Sequence, residues 1–164
     1  MPILGAERLL EVARVRFAGP GAGEARLSDE ELRAAVRRFF DEVWNKGNVG
    51  ETEEFLAPEF VSHNTLDVQI VGPIEYGGAV TNYRAAFPDF HTTLEDVLVD
   101  GDRVVVRGTD RGTHRGAFMG VPASGRQVTT TWIEIFRVEN GKATEGWLES
   151  DPATLRNQLV TEPG

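Results

Sequence analysis

Arg107-Gly-Thr-Asp-Arg-Gly-Thr-His-Arg-Gly-Ala-Phe-Met-Gly-Val-Pro-Ala-Ser-Gly-Arg126 decides how this chain folds, together with Trp132-Ile-Glu-Ile-Phe-Arg-Val-Glu-Asn-Gly-Lys142 and the Glu145-Gly-Trp147 and Asp151 that follow. These stretches read as long strands folded back on one another, with side chains alternating between two faces. The period of two predicts strands over about 90–99, 103–115, 126–138 and 142–150. Asp100-Gly101-Asp102 and Glu139-Asn140-Gly141 supply the positive φ values of tight hairpins between them. A carboxylate, Glu134, sits inside an apolar strand. A charged group there must find a partner or face a cavity in which its pKa shifts.

Upstream of the strands the period is helical. Ser28 and Glu31 form a capping-box pair, and Leu32, Ala35, Val36, Phe39, Val43 and Trp44 recur on one face until Gly47-Asn48 ends the helix. A short helical turn around Glu51 to Leu56 leads into an extended piece, Glu59 to Thr65. Gly72-Pro73 opens a second helix through Tyr76, Val80, Tyr83 and Phe87, stopped by Pro88. Asp151 as N-cap and Pro152 at the first helical position start a last short helix. Helices first and a strand meander afterwards argue for an α+β fold, a cone-shaped curved antiparallel sheet wrapped around the N-terminal helices. Residues 6–17 also show helical spacing, and a Gly/Pro/Ala stretch follows. Residues 1–27 are therefore expected to be an N-terminal helical appendage and flexible linker, 28–160 the cone domain and 161–164 a tail.

The 164 residues suit one domain with a small-molecule pocket. A formal net charge of −9 argues against nucleic acid or an anionic membrane as partner. No run approaches the roughly 18 to 20 apolar residues that span a bilayer. The N-terminus lacks the pattern of a secretory signal, and a cytoplasmic protein is the default expectation. Cysteine is absent. The three histidines, His63, His91 and His114, have no metal-site spacing, so no metal is expected. Gly19-Pro-Gly-Ala-Gly23 has no strand before it and no Gly-Lys-Ser/Thr ending, and reads as linker rather than phosphate loop.

Helix, short strand, helix ending in Phe87-Pro-Asp89, then strands carrying Gly112-Thr-His114-x-Gly116-x-Phe118-x-Gly120-x-Pro122-x-x-Gly125 resembles the SnoaL-like polyketide cyclases of the nuclear transport factor 2-like superfamily. The ending, Glu145-x-Trp147-x-x-x-Asp151-x-x-x-Leu155-x-x-Gln158-Leu159, is similar to theirs too. The resemblance covers residues 28 to 160. It implies an α+β cone and ring closure by intramolecular aldol condensation without metal or cofactor. It further implies a carboxylate acid/base on the second-last strand, where Glu134 stands in place of an aspartate. The substitution keeps the carboxylate and moves its charge by about one C–C bond, and misplacements of about 1 Å can cost around a hundredfold in rate.

Alternation puts Val128, Thr130, Trp132, Glu134 and Phe136 on one strand face, and Thr129, Thr131, Ile133, Ile135 and Arg137 on the other. If the first face lines the cone, desolvation raises the Glu134 pKa toward neutrality, where it can exchange a proton with an acidic C–H. The alternative is an ion pair with an arginine across the sheet, such as Arg107. His114 is the candidate to hydrogen-bond a developing enolate, or else fixes the Gly116–Gly125 loop. His63 and Asn64 are candidates for the cone mouth, and His91 is a weaker one. Tyr83, Phe118, Trp132, Phe136 and Trp147 are candidate substrate contacts, with core packing as the alternative. Glu149 is a candidate second carboxylate or a solvent-exposed side chain.

The leading expectation is a cofactor-free cyclase or isomerase acting on a hydrophobic carbonyl compound, with Glu134 as base and His114 as donor. A non-catalytic pocket protein for an apolar metabolite is the alternative. Epoxide opening by an Asp–Arg–Asp set comes last, because alternation separates Arg107 and Arg111 from Asp110. The Thr129, Thr131, Ile133, Ile135 face would be costly to leave in water, so a homodimer burying it is expected.

Overall fold

The structure, a computed structural model, describes residues 26–65 and 68–160. The helix expected over residues 6–17, the linker up to residue 25 and the tail at 161–164 lie outside the described residues.

The first helix, α1, spans Asp29–Phe39 and starts as its sequence dictates. The Glu31 backbone N–H donates to Ser28 Oγ, and the Ser28 backbone N–H donates to Glu31 Oε2 at 2.8 Å. Leu32, Val36 and Phe39 are its buried stripe. The chain then widens into a π-helical segment, Phe40–Asn45, a feature of the kind often found at functional sites. A 3-10 turn (Val49–Glu51) and a short helix, α2 (Thr52–Phe55), lead to strand β1 (Leu56–Asn64) and a two-residue strand β2 (Ile70–Val71). Helix α3, Gly72–Ala86, begins on Gly72 at φ 77° and Pro73, and ends before Pro88. Helix α4, Pro152–Val160, closes the described chain.

Between α3 and α4 run β3 (His91–Asp100), β4 (Arg103–Thr113), β5 (Gln127–Glu139) and β6 (Lys142–Ser150). These strands agree with the periodicity to within two residues at each end. Gly101 at φ 63° turns β3 into β4, and Asn140 and Gly141 at φ 50° and 76° turn β5 into β6. The sheet order is β2-β1-β6-β5-β4-β3. The β3–β6 meander is antiparallel, whereas β1 joins β6 in parallel register, a pairing that local periodicity does not announce. Register shifts in β1, β3 and β5 mark irregularities of the kind that bend strands, and the sheet curves without closing.

The concave face packs on the helices. One core cluster gathers Phe39, Phe40, Phe55, Phe60, Tyr76 and Phe136, and a second gathers Phe87, Phe90, Val121, Leu155 and Leu159. The 114–126 loop is tied to the end of α3. The N–H groups of Arg115 and Gly116 donate to the Ala86 carbonyl at 2.8 and 3.1 Å, and a Cβ on Gly116 would lie 2.7 Å from the Ala85 carbonyl oxygen. α4 is tied to β5 where β6 no longer covers it: the Gln158 amide donates to the Thr129 carbonyl and accepts from its N–H, both at 2.9 Å.

Candidate active site

The concave face of β4 and β5, the π-helical segment and α3 enclose a cavity of about 430 Å³. Strand phase decides who faces it. Register sets Val106 opposite Glu134, Gly108 opposite Trp132 and Asp110 opposite Thr130, so the apolar phase begun by Val104 and Val106 carries Asp110 inward. Phe40 and Trp44 line the helical side with Tyr76 and Tyr83. The exposed wall residues Thr65, Asn82, Ser150 and Asp151 mark the opening.

Two glycines make room for the polar groups. A Cβ on Gly108 would lie 2.3 Å from Trp132 Cζ2, so the indole lies over the bare backbone of β4. From there Trp132 Nε1 donates to Asp110 Oδ1 at 2.7 Å, while Phe40 stacks on the indole at 5.0 Å between centroids. A Cβ on Gly146 would lie 3.1 Å from Glu134 Oε1 and 3.0 Å from Phe60 Cζ.

Glu134 is 3 % exposed and makes no hydrogen bond or ion pair among the described residues. Burial alone pushes its pKa up to about 8. Asp110 is pushed up to about 6 by burial, held back by Thr92 and the Trp132 N–H. Thr92 pairs with Asp110 in register, yet its buried Oγ1 reaches hydrogen-bond geometry with no described residue. Trp44 Nε1 donates to Tyr76 Oη at 3.1 Å, which leaves the phenol proton for another acceptor. Burial, then the charge of Glu134, raises the Tyr76 pKa well above the phenol value; burial, then Asp110, raises that of Tyr83.

Of the residues singled out in the sequence, Glu134, Asn64, Tyr83, Phe118 and Trp132 stand in the cavity wall. Phe136 does not: it is fully buried behind the wall among Phe39, Phe55 and Phe60. His114 is also outside the wall. The Ser124 N–H donates to its Nδ1 at 3.2 Å, which puts the ring proton on Nε2, a buried atom without a partner among the described residues. The ring packs on Phe87, at the base of the loop that docks on α3. His63, Trp147 and Glu149 lie on the outer face, because β6 presents Gly146 and Leu148 inward and Trp147 and Glu149 outward, with His63 of β1 in register with Trp147. His91 is exposed at the start of β3. Arg107 pairs with Asp96 at 2.6 Å on the outside, so it is not a partner for Glu134. Asp151 caps α4 through the Thr154 N–H at 2.9 Å, as its sequence context predicts.

Asp110 and Tyr76 are among the wall residues that escape the sequence reading. Asp110 was legible from the phase of Val104 and Val106 but sits between two arginines that draw the eye outward. Tyr76 looks like one more residue of the apolar stripe on α3. No Lys, Arg or His lines the cavity among the described residues.

A curved α+β sheet holding desolvated carboxylates in an aromatic-walled hollow defines a small-molecule pocket protein. The chain matches the family described as SnoaL-like polyketide cyclase over residues 34–159, and it belongs to that family. It is 30% identical over 111 residues to the aklanonic acid methyl ester cyclase DauD of Streptomyces sp. (strain C5), covering 65% of this chain and 68% of the relative. It is equally similar to the aklanonic acid methyl ester cyclase DnrD of Streptomyces peucetius, covering 75% of that protein. Among solved structures, TsrD from Streptomyces laurentii superposes with a TM-score of 0.71 at 30% identity, over 82% of this chain and 98% of its own. The SnoaL-like protein of Jannaschia sp. CCS1 gives 0.76 at 26% identity, over 86% and 100%. Among the described residues no helix is long and apolar enough to cross a membrane.

Proposed function

We propose that this protein closes a ring in a hydrophobic, polyketide-like carbonyl compound by acid/base chemistry of the intramolecular aldol type, with Glu134 exchanging the proton. The observation that carries this reading is the placement of Glu134: a buried carboxylate with no protein partner among the described residues, set in the wall of an apolar cavity. A pKa near neutrality suits a group that must both take and give a proton at physiological pH. Trp132, Tyr76 and Phe40 supply flat apolar surface to hold a fused-ring substrate, and a cavity of about 430 Å³ is in the range of small-molecule sites. The names of the relatives make aklanonic acid methyl ester the first compound to assay. Ring closure of that ester, followed by mass-resolved chromatography, should occur with the unsubstituted protein and fall about a hundredfold or more in Glu134→Gln. Undiminished turnover in Glu134→Gln overturns the reading. Tight binding of a carbonyl ligand with no hydrogen–deuterium exchange at its α-carbon would favour a non-catalytic binding protein instead.

The outer sheet face supports a homodimer within the same proposal. Ile133 is 46% and Leu98 61% exposed there, beside Thr129, Thr131 and Ile135. A monomeric mass by light scattering at micromolar concentration would contradict it.

A further inference from the structure

We propose that Asp110 is a second catalytic residue: it removes the proton from the enolisable carbon of the substrate while Glu134, further along the same sheet face, delivers a proton to the carbonyl oxygen under attack. This rests on the ring-closure reading above and assigns its two proton transfers to two different carboxylates.

The two groups sit on neighbouring strands and face the same way. Asp110 is level with Thr130, and Thr130 is four residues from Glu134 along β5, roughly 13 Å between backbone levels. That span leaves room between the carboxylates for the reacting end of a fused-ring compound. Trp132 lies between them as a floor, and the Tyr76 hydroxyl feels both charges. Asp110 is fixed by the Trp132 N–H and stands beside Thr92, its register partner on β3. The other titratable groups facing the pair are Tyr76 and Tyr83 of α3, both held as neutral phenols by burial, and Asp151 at the opening, which is committed to its helix cap. With no basic side chain in the wall among the described residues, a substrate C–H has only Asp110 and Glu134 to receive its proton.

Burial disfavours the charged form of each carboxylate, and to different extents, which splits the roles: Asp110 is pushed to about 6 and Glu134 to about 8. Near pH 7 Asp110 is then mainly the carboxylate and Glu134 mainly the acid. In the reaction Asp110 accepts the α-proton, and the electron pair of that C–H bond forms the new C–C bond to the carbonyl carbon. The carbonyl π pair moves to oxygen, which takes the proton of Glu134 and becomes a hydroxyl. No atom is lost, the cavity holds a single negative charge throughout, and a proton returned from Asp110 to Glu134 through solvent at the opening resets the site.

The test uses α-methyltetralone, a two-ring aryl ketone, and follows deuterium wash-in at its α-carbon by proton NMR from about pH 5 to 9. The whole chain is compared with Asp110→Asn and Glu134→Gln, with circular dichroism confirming that both fold. In the unsubstituted protein wash-in should rise with pH near 6 and decline near 8, in line with the two carboxylates. Asp110→Asn should lose about a hundredfold or more. Glu134→Gln should keep the acidic rise, react more slowly and lose the alkaline decline. Wash-in in Asp110→Asn at the unsubstituted rate, with Glu134→Gln inactive, overturns the role of Asp110 and leaves the Glu134 reading standing. Full activity in Glu134→Gln, or no wash-in with the unsubstituted protein, overturns both.

Discussion

Glu134 and Glu145 are the same residue type on neighbouring strands of one sheet, and they lead opposite lives. Glu145 faces out, where its Oε1 meets His63 Nε2 at 3.0 Å and its Oε2 accepts from Arg137. Trp147 lies beside this group, stacked on His63 at 5.9 Å and covered by the Arg103 and Arg137 guanidiniums at 5.0 and 5.3 Å. Glu134 faces in, with aromatic rings for neighbours and no cation. The outer carboxylate has its charge balanced by protein; the inner one has its charge opposed by burial. The strand face, rather than residue type or local sequence, separates a structural ion pair from a group able to trade protons.

Substitutions sharpen this contrast, and the largest effect belongs to turnover. Glu134→Gln should lower ring closure by about a hundredfold to ten-thousandfold, while Glu145→Gln leaves it within about twofold, both read as kcat/KM.

Stability against pH comes next. The folded-state pKa of Glu134, about 8, is raised above its ordinary 4.5. The folded protein therefore binds the proton more tightly than the unfolded chain, and stability falls as pH rises from about 4.5 to about 8. Glu134→Gln should remove that slope and be the more stable protein above pH 8, by up to about 5 kcal/mol, in urea melts across the range. A smaller effect follows at Gly108, where alanine would place its Cβ against the Trp132 ring. Gly108→Ala should cost about 1–3 kcal/mol and reduce turnover as the Trp132–Asp110 bond is lost, with melting and kinetics as the readouts. The smallest change is outside: Glu145→Gln should cost less than about 1 kcal/mol, and the loss should shrink in high salt.

The inner face was legible where periodicity is local. The alternation of β5 runs unbroken from Val128 to Phe136, so Glu134 and Trp132 could be placed inward from sequence, and the capping box and hairpin turns behave as their residues dictate. The facing of β1 and β6 was not. The facing of His63, Trp147 and Glu149 depends on the register shift between Arg137 and Val138 and on the parallel pairing of β1 with β6, which join segments about 80 residues apart. His114 turned away from the cavity for a similar reason: the 114–126 loop takes its direction from bonds to the end of α3. The widening of α1 into a π-helix, which brings Phe40 onto Trp132, left no mark in the apolar spacing.

The most direct test of the central claim is a titration of the glutamate side chains by carbon-13 NMR, in the unsubstituted protein and in Glu134→Gln. One carboxyl resonance should titrate with a midpoint near pH 8 and be missing from the variant. If every glutamate titrates in the ordinary range around 4.5, Glu134 is not held as a neutral acid in a dry hollow, and the chemistry built on it fails.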